Sequence, residues 1–223
     1  MTTTQRVITV QRDLMAQAQQ EASVLRRHMA QRGTLVVNVL SSPGSGKTSL
    51  LAATARHWHN DFRMAALVGD IATDRDAVRL APYMPVVQLT TGGACHLELP
   101  LIEQGVAALG QPELDFLFIE NVGNLVCPSS HDLGEHRRVV LLSAPEGDDK
   151  PGKYPKAFRT AHALVISKTD LLPHVPFSIE KVVGDARLIQ PDLSIVVVSS
   201  QTNDGISEWC QLLHTWREQL TVE

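Results

Sequence analysis

The sequence predicts an α/β fold: a mainly parallel, seven-stranded sheet with helices on both faces, plus an N-terminal helix. Three observations lead there. Seven short runs rich in Val, Ile and Leu recur along the chain, mostly without polar alternation, which is the pattern of strands covered on both faces. Between most of them lie segments long enough for a helix, and strand–helix alternation builds a parallel sheet wrapped on both sides. The first run feeds a glycine-rich turn followed at once by a helix start, as in strand–turn–helix anion sites.

Taken in order, Leu14, Ala18, Ala22, Leu25 and Met29 recur at spacings of three and four, giving one apolar stripe on a helix that Gly33 can end. The strand candidates are TLVVNVL (34–40), MAALVG (64–69), VVQLT (86–90), LDFLFIE (114–120), VVLLS (139–143), ALVIS (163–167) and SIVVVSS (194–200). Residues 96–110 and 205–220 carry the clearest helices between and after them. Residues 143–158, SAPEGDDKPGKYPKAF, form the longest stretch expected to be irregular. With 223 residues, 43% of them apolar, the chain is expected to form one domain with a sizeable core (34–223) and a helical N-terminal extension (1–33). The net charge of −4 is spread along the chain, with no basic stripe for nucleic acid. No apolar run reaches the ~18 residues that span a bilayer and no signal-like segment opens the chain, so a cytoplasmic protein is expected. Three cysteines, an odd number, point to buried thiols or metal ligation rather than a disulfide framework.

In SSPGSGKTSL (41–50) the turn is a phosphate cradle, a P-loop. Gly44, Ser45 and Gly46 form the bend, where small residues let backbone N–H groups approach an anion. Lys47 reaches the β and γ phosphates, the Thr48 hydroxyl takes a place on Mg²⁺, and Ser49 continues the helix start. Ser41 stands where the usual pattern has Gly, which a Cβ permits only at negative φ. In LVISKTDLLP (164–173), Ser167, Lys168 and Asp170 follow a strand at the carboxyl edge, where α/β sheets bind ligands, and resemble the NKxD signature of GTPases. Guanine offers two N–H donors that one carboxylate accepts together; adenine leaves Asp170 unpaired. Asp70 and Glu120 end two other strands and suit Mg²⁺ or an attacking water, and Asp74 lies in a polar segment able to respond to the nucleotide. Cys95 and His96 in TTGGACHLELP and Cys127 in NLVCPSSHDLGE sit in two loops just past strands. Thiolate and imidazole suit zinc or nickel, with water, His131 or a second copy of the chain supplying a fourth ligand. Cys210 lies between apolar residues of the last helix and reads as packing.

Together SSPGSGKT, GDIATDRDA, TGGACHLE, IENVGNLVCP, DLGE, DKPGKYP and SKTDLLP resemble the HypB family, GTPases that assist nickel insertion into nickel-iron hydrogenases. The resemblance implies a P-loop NTPase fold, GTP/GDP and Mg²⁺ as ligands, and Ni²⁺ or Zn²⁺ at Cys95, His96 and Cys127. It also implies a homodimer promoted by GTP and metal, with Lys150 or Lys153 approaching the neighbouring subunit's nucleotide. A HypA-like nickel chaperone and a hydrogenase large-subunit precursor follow as partners. Catalysis falls to Lys47, Asp70 and Glu120, with Thr48, Asp70 and Glu120 around magnesium. The first cysteine is Cys95 and the nine histidines are dispersed, so high-capacity nickel storage is not expected. Two alternatives stand: a urease accessory GTPase of the UreG type, whose Cys-Pro-His order differs from Ala94-Cys95-His96, and a dimeric scaffold that binds nucleotide and metal without turnover.

Overall fold

The computed structural model describes residues 3–59, 61–70, 73–110 and 113–220, with side chains from residue 16 onward. Seven strands form one all-parallel sheet: β1 Leu35–Ser41, β2 Met64–Asp70, β3 Val86–Thr90, β4 Phe116–Gly123, β5 Arg137–Ser143, β6 Ala163–Ser167 and β7 Ser194–Val197. Their order is β3-β2-β4-β1-β5-β6-β7, so β1 lies at the centre and the chain reverses direction across the sheet on either side of it. The helices are α1 Thr3–Gln31, α2 Lys47–Trp58, α3 Arg75–Leu80, α4 Leu99–Ala108, α5 Lys150–Lys153, α6 Pro155–Arg159, α7 Ile179–Ile189 and α8 Ile206–Glu218.

Burial explains the missing polar alternation. Along β1, Val37 and Val39 pack with α2 and α8 on one face, while Val36 and Leu40 face the other. That second face is covered in two halves, by α1 and α4 over Val36, Leu67 and Ile119, and by α6 and α7 over Val140, Leu142 and Ile166. The indole of Trp209 on α8 is fully buried and donates to Thr54 Oγ1 of α2 at 2.9 Å, fixing the two helices together. On α1 the stripe is buried only at Ala22, Leu25 and Met29, and Ala18 is exposed. Leu14 lies outside the described side chains. Gly33 adopts φ 68° and ends this helix, its N–H bonding Ala30 O at 2.9 Å.

Residues 143–158 are more ordered than the sequence suggests. Ser143 and Glu146 form a reciprocal capping box around a 3₁₀ turn, after which α5 and α6 each start with Pro in the first turn.

One irregularity matters for the site. β1 and β4 pair in register from Leu35 with Phe116 to Val39 with Glu120, and then Ser41 pairs with Gly123, so β4 holds one extra residue just beyond Glu120. Gly123 there meets the glycine-rich turn, since a Cβ on it would lie 2.9 Å from Pro43 N, Cα and Cγ. Overpacking of this kind costs about 1–3 kcal/mol. Gly123→Ala is therefore expected to displace the turn and weaken GDP binding about fivefold or more, measured by titration; unchanged affinity contradicts the contact.

Candidate functional site

The carboxyl ends of β1, β4, β5 and β6 converge on the turn between β1 and α2. Gly44 and Gly46 both adopt positive φ, 75° and 99°, which side-chain-bearing residues avoid. Gly46 is the N-cap of α2 and no side chain caps that helix, so its first amides are left to an anion. Ser41 is not among the positive-φ residues, which is how the chain accepts a Cβ there, and its hydroxyl accepts from Lys47 Nζ at 3.1 Å. Burial pulls the Lys47 pKa down, opposed by the charges of Glu120, Asp76, Glu146 and Asp70. A phosphate oxygen is the natural replacement for that neutral hydroxyl.

Thr48 Oγ1 donates to Glu120 Oε1 at 2.7 Å, while Glu120 Oε2 is buried with no hydrogen-bond partner among the described residues. Burial pushes the Glu120 carboxyl up to about 7, against the pull of Lys47 and Thr48. An unpartnered carboxylate oxygen beside a P-loop threonine fits a divalent cation. Asp70 and Asp74 are placed differently. Asp70 accepts from Thr73 N and Oγ1 at 3.0 and 3.2 Å, and Asp74 is exposed at the head of α3. Neither lines the cavities beside the turn; Asp76 and Arg79 of α3 do. Arg79 donates to Ser49 Oγ at 3.1 Å and to Asp76 Oδ1 at 3.4 Å.

A cavity of about 740 Å³ runs from Gly46 past Lys168 and Asp170 to Ser200 and Gln201. The motif after β6 braces the turn directly: Ser167 Oγ donates to Ser45 O at 2.7 Å and Lys168 Nζ to Gly44 O at 2.6 Å. Ser167 thus contacts backbone where an Asn is usual. Ser199 Oγ donates to Asp170 Oδ1 at 2.6 Å and fixes that carboxylate at the cavity wall. In the 3₁₀ turn after β5, Glu146 Oε2 lies 2.6 Å from Ser45 Oγ and 2.8 Å from Ser143 N. Burial pushes its carboxyl up, but the Ser143, Ser45 and Ser42 donors more than offset this and hold it below the usual range. On α5, Lys150 is half-buried, its ammonium 5.8 Å over the Tyr154 ring, and Lys153 is exposed and paired with Asp149; neither lines these cavities.

The two thiols meet: Cys95 Sγ and Cys127 Sγ lie 2.9 Å apart, both free. The hydrogen bond with Cys127 is the main cause that raises the Cys95 pKa. His96 Nδ1 is 3.9 Å from Cys95 Sγ, and its ring stacks on His131 with centroids 4.0 Å apart. Among the described residues no three His, Cys, Asp or Glu side chains of this one chain close around a metal position. Asn124 Nδ2 donates to Cys95 O at 3.2 Å and ties the two loops together. Beneath them Arg138 is buried and spans Ser129 O, His131 O and Glu135 Oε1 at 3.1, 2.8 and 2.5 Å. Cys210 is buried on α8, its thiol pushed up to about 12 by burial, in keeping with packing.

The family model described as the CobW/HypB/UreG nucleotide-binding domain matches residues 35–197. The hydrogenase maturation factor HypB of Azotobacter vinelandii is 42% identical over 205 residues, 92% of this chain and 68% of that one. The crystal structure of HypB from Helicobacter pylori in complex with nickel superposes with a TM-score of 0.86 at 40% identity, covering 92% and 97% of the two chains. HypB from Archaeoglobus fulgidus gives 0.84 at 35%, covering 91% and 99%. The chain belongs to the HypB family. The UreG alternative is not favoured, and membership of HypB carries with it the P-loop NTPase fold and nucleotide hydrolysis in general.

Against the HypB-like residues expected from the sequence, Asp76, Arg79, Glu146 and Ser199 are additions. Of these Glu146 had a signal, its spacing of three from Ser143 in a capping box. With its carboxyl pushed up to about 7 by burial, Glu120 keeps its proton below that pH, so a cation bound there would have to displace it. Apparent Mg²⁺ affinity, followed through nucleotide binding, is expected to fall by up to about tenfold per pH unit below 7 and to be flat above. Glu120→Gln removes that slope; an unchanged slope contradicts the assignment.

Proposed function

We propose that this chain is a GTP-hydrolysing metallochaperone that couples its nucleotide state to nickel transfer during maturation of nickel-iron hydrogenase. One observation carries the reading: β4 delivers Glu120 to Thr48 of the phosphate cradle, and seven residues later the same segment delivers Cys127 to Cys95. A shift of Glu120 on loading the triphosphate is thus transmitted through Asn121–Val126 to a metal ligand, as in order-and-release switches.

In this reading the Gly44–Ser49 turn and α2 amides would hold the phosphates, and Lys47, now 3.1 Å from Ser41 Oγ, would supply charge to the β and γ oxygens. Thr48 and Glu120 hold Mg²⁺, which when bound neutralises charge building on the transferred phosphoryl group. Asp70 fixes the backbone after β2 through Thr73, while Asp76 and Arg79 line the phosphate cavity and orient water and phosphate. Asp74 lies on the same responsive segment. Asp170, held by Ser199, accepts the two guanine donors, with the Lys168 stem along the base. Cys95, Cys127 and His96 take the metal cargo as nickel or zinc, with a second copy of the chain completing the ligand set, so that metal and GTP promote a homodimer; the meeting of Cys95 and Cys127 supports the shared site. The half-buried Lys150 and the exposed Lys153 of α5 are then presented to the partner's nucleotide. The H. pylori HypB structure with nickel supports nickel as the cargo, and the hydrogenase maturation relatives support a nickel chaperone of the HypA type and a hydrogenase large-subunit precursor as partners. Among the described residues no helix is long and apolar enough to cross a membrane, which supports a cytoplasmic setting.

Phosphate release from GTP tests the chemistry. The expected result is slow turnover reduced at least about tenfold by Lys47→Ala, with GTP displaced by GDP but not by ATP, and that discrimination lost in Asp170→Ala. GTP that binds and stays intact for hours overturns hydrolysis and leaves the scaffold reading.

A further inference from the structure

Cys95 and Cys127 are 32 residues apart in the chain, yet their sulfurs lie 2.9 Å from one another and both are free. Two thiolates on one tetrahedral zinc, each about 2.3 Å from it, stand about 3.8 Å apart. A disulfide holds its sulfurs about 2.05 Å apart. The observed separation falls between the two, about 0.9 Å from each. The loops that can offer an ion two thiolates therefore also hold those thiols within reach of a covalent bond.

Both backbones are fixed in that approach. Asn124 Nδ2 donates to Cys95 O at 3.2 Å while its Oδ1 accepts from Val126 N at 2.8 Å, so one side chain spans the two loops. Before Cys95, Thr91 Oγ1 donates to Ala94 O at 2.6 Å; after Cys127, Ser130 N donates to Cys127 O at 3.1 Å. A bond between sulfurs held in this way is an intramolecular step that starts from a preformed encounter. The two thiols differ in access, Cys95 being exposed and Cys127 half-buried, so a reagent in solution meets Cys95 first. The third cysteine, Cys210, is shut away in the core on α8.

We propose that Cys95 and Cys127 are a reversible oxidation site, closed to an intramolecular disulfide by a low-molecular-weight disulfide, and that metal binds only the reduced pair. The exclusion of metal rests on the reading of these residues as the cargo site; the disulfide does not. The Cys95 sulfur attacks one sulfur of the small disulfide, releasing one thiol, which carries off the Cys95 proton, and leaving the other half bonded to Cys95. Cys127 then attacks Cys95 Sγ, forming the Cys95–Cys127 bond and expelling the second thiol with the Cys127 proton. The chain has given up two hydrogens and two electrons, and the small disulfide has become two thiols. Of the three expected ligands only His96 is left, its ring stacked on His131, and one imidazole does not close a four-coordinate site.

The test incubates the full, metal-free chain with glutathione disulfide, blocks the remaining thiols with iodoacetamide and maps the products by mass. The expected product is a single chain about 2 Da lighter, bridged between Cys95 and Cys127, carrying no glutathione and restored by dithiothreitol. Cys127→Ser is expected to stop at a glutathione adduct on Cys95. Nickel added before the glutathione disulfide is expected to slow bridging at least about tenfold, and the bridged chain to bind nickel at least about a hundredfold more weakly than the reduced one. Thiols that stay reduced, adducts that persist on both cysteines, or bridges between chains overturn the proposal, as does equal nickel affinity in the reduced and bridged forms. A bridge in a chain that binds no nickel when reduced contradicts the cargo reading and leaves the disulfide standing.

Discussion

A carboxylate buried with one oxygen committed and the other unpartnered is costly, and Glu120 is in that state at the centre of this molecule. The fold accepts the cost because Glu120 sits where it must: on the strand beside β1, one residue before a register shift, with its bound oxygen on Thr48 at the start of α2. Lys47 is buried close enough for the two charges to moderate one another. The site is thus assembled with like and unlike charges in tension, and a cation together with a polyphosphate resolves both at once.

The same strand carries the connection to the thiols, and a second route of buried side chains runs beside it. Asn121, next to Glu120, donates to Asn38 Oδ1 at 3.2 Å, and Asn38 donates to Glu135 Oε1 at 3.3 Å. Glu135 holds Arg138, whose guanidinium holds Ser129 O and His131 O of the loop that follows Cys127. The side chains of Asn38, Asn121, Glu135 and Arg138 are all buried and bonded; removing one partner of the Glu135–Arg138 ion pair costs about 3–5 kcal/mol, and leaving an asparagine unpartnered about 1–3 kcal/mol. These bonds account for the two asparagines inside largely apolar strands. They link the phosphate end and the thiol end through side-chain hydrogen bonds as well as through the backbone.

The fold was legible because its signals are local. Seven apolar runs, a glycine-rich turn and helix-length spacers each declare themselves within about ten residues, and the parallel sheet follows from their alternation. The phosphate cradle and the Asp170 motif were legible for the same reason. The proximity of Cys95 and Cys127 depended on β3 and β4 both ending near one edge, although β2 lies between them. What the sequence concealed is non-local. Nothing in DLGE or HRR says that Glu135 and Arg138 reach inward to Asn38 and to the Cys127 loop. Among three acids within seven residues, only the fold separates Asp70, bonded to Thr73, from Asp76, which lines the cavity. Glu146 carried only the local signal of its spacing from Ser143; the run of Gly, Asp, Lys and Pro after it reads as loop, whereas the capping box and proline-led turns fold it against Ser45.

If the buried carboxylate and the thiols belong to one unit, nucleotide state and metal affinity must be linked, and linkage is reciprocal. The direct measurement is a nickel titration of the protein loaded with GDP and with a nonhydrolysable GTP analogue, paired with nucleotide titrations with and without nickel. The account predicts affinities that differ between the two nucleotide states by about fivefold or more, with the same factor appearing in the reverse experiment. Equal nickel affinity in both states contradicts it.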